Sequence, residues 1–491
     1  MKNLKALILI FIVTISTVSC FKDHDDNTKP ASFTDINDFI WKGMNSWYNW
    51  QSNVPDLSDT KDDNTSEYTT FLNQIKNPED FFNSLRFDYG VTDRFSWFID
   101  DYIVQQQEFQ GISTSFGFKL QSVQINNSGD IIIYVRYVAD NSPASNANIK
   151  RGDIINGIDG TTINTSNFDN VVSKLSNETI TLSFVSESGG TLTPIEDKTI
   201  TSTVISENPV YLKKVFDNIN GKKVGYLVYN GFRTSYNDEL NDAFSFFKSE
   251  NIDELILDLR LNGGGSVGTS AYLSSMIYAN AGEEEFASLE FNSKHTNSSG
   301  SYFFSNTLNV YDANDIKIGT QAINRLNTIN NLYVLTSHNT ASASEMVING
   351  LRPYMNAVKT VGSTTYGKNV GSIMLFDSPS SDYQDRAFAN PSHLNAMQPI
   401  VFQIFNKNGE SDYTSGFTPD IEVLEYEYWN NILPFGDENE VVLKAALDDI
   451  RGLSSKTSSI KKQSNTKNLE LTSPKKFEQE MYIDSDFFNN N

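Results

Sequence analysis

Cysteine is all but missing from this chain of 491 residues, where Cys20 is the single copy, so neither a disulfide framework nor a cysteine-built metal site is available. Histidine is nearly as scarce. His24, His295, His338 and His393 are scattered without metal-ligand spacing, and no metal site is predicted. Positive charge is in deficit, with 38 Lys and Arg against 61 Asp and Glu and a net charge of -23. A surface of that sign argues against a nucleic-acid partner, whose phosphates need basic patches. Phosphate loops and EF-hand loops are absent as well, and nothing implies a cofactor. After residue 20 no apolar run is long enough to span a membrane.

The one long apolar run lies at the start. Lys2 and Lys5 precede the stretch Ala6 to Val18, and Ser19 stands before Cys20. This is the pattern of an export signal over residues 1–20. Thr17-Val18-Ser19-Cys20 resembles a lipobox, which implies lipidation at Cys20 and attachment to the cell envelope, in the outer membrane on its periplasmic or surface-exposed face. Lys22-Asp23-His24-Asp25-Asp26 resembles the acidic tag that sends some lipoproteins of Bacteroidetes to the cell exterior. Residues 21–31 read as a polar tether.

The remaining length fits about two to four domains. Ile36, Phe39, Ile40, Met44 and Trp47 recur on one helical face, Ser32 and Asp35 form a possible capping box, and a second apolar stretch runs from Phe81 to Val104. Residues 32–110 are therefore expected as a small helical domain. Over 113–205 the pattern changes to strands, including Asp130–Val138 and Thr179–Val185, with one helix carrying Phe168, Val171, Val172 and Leu175 that Thr165 can cap. From 215 to 450 strands alternate with helices. Lys223–Tyr229, Glu254–Leu259, Asn331–Thr336, Ala357–Val361, Gly371–Phe376 and Gln398–Phe405 are the expected strands, and Leu240, Ala243, Phe244 and Phe247 mark a helix. Residues 453–491 are rich in Ser, Lys, Asn and Thr and are expected to be disordered. The fold class is multidomain α+β.

Chemistry concentrates in Thr340-Ala341-Ser342-Ala343-Ser344-Glu345 and in Gly367-Lys368, with no histidine between them. A serine hydroxyl is a poor nucleophile unless a base stands beside it. Lysine can be that base when burial lowers its pKa from about 10.4 toward about 7–8. The apolar run Leu332 to Leu335 and the glycines Gly362, Gly367 and Gly371 make such a pocket plausible.

Five ordered blocks carry a resemblance. Ser142-Pro143-Ala144 and Lys150 to Gly160, with its Gly152-Asp153-Ile154-Ile155, resemble a PDZ domain. Asp258-Leu259-Arg260-Leu261-Asn262-Gly263-Gly264-Gly265, Thr340 to Glu345, Tyr366-Gly367-Lys368 and Gly416-Phe417-Thr418-Pro419-Asp420 resemble the signature blocks of the C-terminal processing peptidases, also called tail-specific proteases. The resemblance covers roughly residues 113–450 and implies an α/β core of the ClpP/crotonase-like kind. It implies Ser342 as nucleophile, Lys368 as general base and an oxyanion hole from the backbone amides of Ala343 and Gly264. It also implies a peptide site at Gly117, Phe118 and Leu120 that engages the C-terminal segment of a protein or peptide substrate. Many members carry glutamine four residues after the lysine to orient it; Ser372 stands there instead.

Two other readings stay open on sequence. Gly264-Gly265-Ser266-Val267-Gly268 satisfies the nucleophile-elbow pattern of an esterase, with Ser266 and a histidine such as His338 or His393. The same fold could also serve as a non-catalytic peptide-binding lipoprotein. Oligomeric state is not readable from the chain.

Overall fold

The computed structural model describes residues 30–127, 129–312, 316–329, 331–453, 461–469, 471 and 476–483. Cys20, with the export signal and acidic tag, lies outside these residues. No helix among the described residues is long and apolar enough to cross a membrane.

The centre is a six-stranded sheet in the order Val210–Ile219, Lys222–Tyr229, Glu254–Asp258, Asn331–Thr336, Ala357–Gly362, Ile421–Glu422. The first pair is antiparallel and the others are parallel. A parallel sheet needs cover on both faces, which is why its inner strands read as continuous apolar runs. Alternate residues supply the two faces. Leu227, Leu255, Leu257, Leu332 and Val334 pack with the helices Asn237–Glu250, Val267–Ile277 and Ala343–Leu351, whereas Val228, Ile256, Tyr333 and Leu335 pack with the helix Val441–Ile450.

A second sheet runs Gly264–Ser266, Glu480–Tyr482, Val370–Ser372, Ile400–Asn406, Glu285–Phe291, Gly300–Phe303. The expected strands at 371–376 and 398–405 therefore leave the central sheet, and in a third sheet Ala396–Gln398 pairs with Trp97–Ile99 on one side and Leu375–Phe376 on the other. This is where the N-terminal helices attach. The helix Phe33–Trp47 begins as its sequence predicts: the Ser32 amide donates to Asp35 Oδ2 at 2.9 Å, and the Asp35 amide donates back to Ser32 Oγ at 3.3 Å. Its apolar face does not make a core of its own, however. Phe39, Ile40, Met44 and Trp47 share one hydrophobic cluster with Leu375, Met397 and Phe402.

Residues 112–206 form the strand-rich module, with the sheet order Lys467–Leu469, Phe118–Gln124, Ile131–Val138, Ile154–Ile158, Thr179–Ser188, Thr191–Thr201. Ser142 caps the helix Pro143–Asn146 by accepting from the Ser145 amide at 3.1 Å. Thr165 is not a cap. The helix Phe168–Val172 starts after Asn167, and the Thr165 amide instead donates to Gly129 O. The largest departure from expectation concerns residues 453–491. Lys467–Leu469 and Glu480–Tyr482 are ordered because strands already formed elsewhere offer them unpaired edges, and a main-chain ladder asks little of side chains.

Candidate active site

Ser342 stands at the N-terminus of the helix Ala343–Leu351, fully buried, with φ +63° and ψ -116°. The Ser344 amide donates to Ala341 O at 3.1 Å, so Ala341–Ser344 is a β-turn whose first central residue has the backbone of a type II′ turn, a glycine conformation held here by serine. Strain of this kind persists only where the surroundings enforce it. Ser342 Oγ has no hydrogen-bond partner among the described residues.

Glu345 enforces the turn. Its buried carboxylate accepts from the amides of Ser342 (2.9 Å), Gly367 (2.7 Å) and Lys368 (2.9 Å) and from Thr365 Oγ1 (2.6 Å). The amides of Ser342 and Lys368 both reach Oε2, so one oxygen ties the serine turn to the lysine loop. Burial lifts the Glu345 carboxyl to about 7 against the pull of these four donors. Sequence reading gave Glu345 no role, although Ser342-x-x-Glu345 is a capping-box spacing that could have pointed to it.

The other blocks converge on the same place. The Phe417 amide donates to Thr365 Oγ1 at 2.7 Å. Gly367, at φ +91°, passes so close to the 414–416 backbone that a Cβ would lie 2.3 Å from Thr414 O. Asn262 O accepts from the Ala341 amide at 3.2 Å and from Ser344 Oγ at 3.0 Å. Gly264, at φ +112°, brings its backbone against the serine; a Cβ there would be 2.8 Å from Ser342 Cβ. The Gly264 amide donates to Asn262 Oδ1 at 2.9 Å, so this expected oxyanion donor is turned to a side chain of its own loop.

Lys368 is fully buried, and burial lowers its pKa from 10.5 despite the nearby carboxylates of Glu480, Asp93 and Glu345. Its ammonium lies 4.8 Å from the Phe95 ring centroid and donates to Gln479 O at 2.6 Å, with Glu480 Oε2 at 3.8 Å. Ser372, expected to orient the lysine, donates instead to Met481 O at 3.1 Å. Sequence reading missed Gln398, which is buried, donates through Nε2 to Ser372 Oγ (2.8 Å) and Glu480 Oε2 (2.9 Å), and leaves Oε1 without a partner among the described residues. It lies on the strand Ala396–Gln398 whereas the lysine lies in the loop before Val370–Ser372, so linear spacing could not show it.

Two of the three expected peptide-site residues line a cavity that reaches the glycine turn. Gly117, Phe118 and Lys119 line a space of about 280 Å³ together with Gly263, Gly264, Gly265, Arg233, Phe477 and Glu478. Leu120 sits on the core of the strand-rich module. That module is fastened to the central sheet by buried charges: Arg136 Nε donates to Glu425 Oε2 at 3.1 Å, Arg151 Nη2 to Glu425 Oε1 at 2.5 Å, and Arg260 Nη1 to Glu425 Oε1 at 3.0 Å and Glu440 Oε1 at 2.8 Å.

The elbow reading is not supported. Ser266 Oγ caps the helix Val267–Ile277 by accepting from the Thr269 amide at 3.1 Å. His338 stacks on Tyr366, and His393 faces Asp377 at 3.1 Å. Ser46 Oγ does lie 2.9 Å from His295 Nε2, but Asp382 approaches that same nitrogen, at 3.7 Å, and so cannot orient the ring from its other side.

A cavity between the strand-rich module and the glycine turn, with Gly264 packed against a buried serine at a helix N-terminus, fits a peptidase, and comparison with known proteins agrees. Residues 223–423 match Peptidase family S41, residues 35–97 match the Peptidase S41 N-terminal domain and residues 105–184 match a PDZ domain. The chain belongs to peptidase family S41, a family of serine peptidases. Over 393 residues it is 23% identical to a "Probable CtpA-like serine protease" of Staphylococcus aureus (strain bovine RF122 / ET3-1), covering 77% of this chain and 69% of the relative. A "Carboxyl-terminal-processing protease" of Picosynechococcus is 25% identical over 276 residues, covering 55% of this chain and 59% of the relative. The crystal structure of a Bacteroides fragilis protein described as a "Putative S41 protease" superposes with a TM-score of 0.64 at 25% identity, covering 87% of this chain and 99% of that one.

Proposed function

We propose that this protein is a lipid-anchored endopeptidase of the cell envelope that cleaves protein substrates with Ser342 as nucleophile and Lys368 as general base. The observation that carries the reading is the Glu345 clamp, in which one carboxylate oxygen accepts from the backbone amide of Ser342, whose hydroxyl is unpartnered, and from that of Lys368, whose amine is buried. In the neutral form that burial favours, Lys368 Nζ takes the Oγ proton as Oγ bonds to the scissile carbonyl carbon. The oxyanion that results meets the Ala343 amide and the positive end of the helix Ala343–Leu351, with a second donor from the turn Gly263-Gly264-Gly265 once the Asn262 contact is exchanged. As the C–N bond breaks, the lysine ammonium gives its proton to the leaving amine. Water then attacks the acyl carbon as Lys368 accepts its proton, and the C–Oγ bond breaks as the lysine returns that proton to Ser342 Oγ.

Gln398, joined to Ser372, is the group we assign to orienting the lysine, in the role expected of Ser372. The PDZ domain would present the C-terminal segment of a substrate, in line with the name of the carboxyl-terminal-processing relative. The cavity shared by Gly117, Phe118 and the glycine turn supports this.

The test is cleavage of casein by the protein and by Ser342→Ala, Lys368→Ala and Ser266→Ala. Activity lost in the first two and kept in the third is the expected result. Stoichiometric peptide binding without cleavage by any form would favour a binding protein instead. For the anchor, an alkyne-tagged fatty acid fed to cells should label the protein and fail to label Cys20→Ala.

A further inference from the structure

Two strands from the region expected to be disordered lie in the two places where a peptide substrate should lie. The first, Lys467–Leu469, adds antiparallel to the PDZ strand Phe118–Gln124, with Lys467 opposite Gln124 and Leu469 opposite Ser122. Ser122 Oγ donates to Leu469 O at 2.9 Å, and Gln121 Nε2 donates to Asn468 Oδ1 at 2.6 Å. Leu469 and Leu471 join the hydrophobic cluster that contains Leu120, Phe168, Val172 and Leu175. The chain thus runs toward Gly117 in the manner of strand addition at a sheet edge, with backbone bonds on one side and leucines packed beneath.

The second strand, Glu480–Tyr482, is inserted between Gly264–Ser266 and Val370–Ser372, the strand that follows the lysine loop. It pairs in parallel with Gly264–Ser266 on one side and meets Ser372 on the other. The fit is close. The Glu480 amide donates to Gly263 O at 3.0 Å, and a Cβ added at Gly264 would lie 2.2 Å from Glu480 O and 2.8 Å from Ser342 Cβ. Met481 is fully buried, and the Tyr482 ring stacks on Phe109 at 4.7 Å. Gln479 O and the Glu480 carboxylate occupy the Lys368 amine that the reaction needs free. Between the two strands, Phe477 and Glu478 line the cavity that joins the PDZ loop to the glycine turn.

We propose that the strands Lys467–Leu469 and Glu480–Tyr482 are a tethered peptide ligand of the protein's own PDZ groove and catalytic groove, and that a substrate gains the site by displacing them. What the ligand blocks rests on the Ser342–Lys368 reading; its occupancy of the grooves does not. Two weak docking events on one chain reinforce each other through effective concentration, so releasing either should loosen both. The substrate class is an extended segment that pairs in parallel beside Gly264–Ser266 and brings aliphatic side chains to the PDZ strand.

The test uses the full chain with Ser342→Ala, which preserves any bound peptide, and a fluorescein-labelled synthetic peptide of residues 463–483. Anisotropy should show the peptide binding at least about tenfold tighter when the chain also carries Leu469→Asp and Leu471→Asp than when its own segment is intact. Met481→Asp, which leaves the PDZ edge untouched, should do the same and covers the case in which the leucine variant fails to fold. Equal affinity for released and intact chains, or binding to neither, overturns the proposal. With Ser342 present, casein cleavage should rise about tenfold on release. Cleavage that needs Ser342 but ignores these substitutions would sink the tether and leave the Ser-Lys reading standing. Tighter peptide binding without any cleavage would do the reverse.

Discussion

Two buried carboxylates show how one physical situation can be put to opposite uses. Glu345 and Glu425 are both removed from water, which favours the neutral acid in each. Glu345 is met by three backbone amides and a hydroxyl, and its carboxyl rises to about 7. Against the same burial, Arg151, Arg136 and Arg260 hold the Glu425 carboxyl far below the ordinary range. Neutral donors fix directions without supplying charge, and this suits a group that must position a serine turn and a lysine loop while leaving the lysine amine its low basicity. Three guanidinium groups fix charge, and this suits a joint between domains, since Arg136 and Arg151 come from the PDZ domain and Arg260 from the central sheet.

Removing each carboxylate should therefore break different things. Glu425→Ala leaves three arginines buried around an empty place, and the expected loss is about 3–5 kcal/mol, read from urea denaturation. An unchanged midpoint would mean that water or Glu440 takes over the joint. Glu345→Ala should cost less stability but lower kcat by roughly a hundredfold, because a displacement of about 1 Å between nucleophile and base has that effect. Glu345→Gln, which keeps one acceptor oxygen, should recover part of the loss. A residue that only filled space would show no such ranking.

The same pair predicts two limbs of a pH profile. Glu345 binds its proton more tightly folded than unfolded, so its contribution to stability is complete below about 4.5 and declines as pH rises to about 7. The span of about 2.5 pH units bounds this decline at about 3 kcal/mol. Burial also lifts Glu480 to about 7, adding to the same limb. Glu425 acts in the opposite sense. Its stabilisation is complete above the unfolded value near 4.5 and is lost as pH falls toward its lowered folded value. Denaturation midpoints taken from pH 3 to 8 should show Glu345→Gln flattening the upper limb and Glu425→Gln flattening the lower. A shared limb for both variants would contradict the contrast.

Legibility in the sequence followed the same division. Periodicity and capping patterns revealed the helix Phe33–Trp47 and the buried central strands, because those signals are local. The blocks around Ser342, Lys368, Asn262 and Gly416 were visible as motifs, and the structure brings them together. Gln398, Arg136 and Glu425 were not visible, since each acts across a distance in the chain that no periodicity encodes. The strands at 467–469 and 480–482 escaped for another reason. Their order comes from edges presented by other strands, and their few apolar anchors, Leu469, Leu471 and Met481, are too sparse to stand out in a polar segment.

The smallest predicted effect concerns the turn that Glu345 holds. Ser342 occupies a backbone region that costs a residue with a Cβ about 1–3 kcal/mol, whereas glycine adopts it freely. Glycine loses about 0.5–1 kcal/mol more conformational entropy on folding, so Ser342→Gly should stabilise the protein by about 1 kcal/mol net. Ser342→Ala keeps the Cβ and the strain, and the hydroxyl it removes has no partner among the described residues, so it should be nearly neutral. Both variants lose the nucleophile. Thermal melting of the two side by side separates stored backbone strain from lost chemistry. If Ser342→Gly melts no higher than Ser342→Ala, the turn is not strained, and the clamp at Glu345 aligns the serine without forcing it.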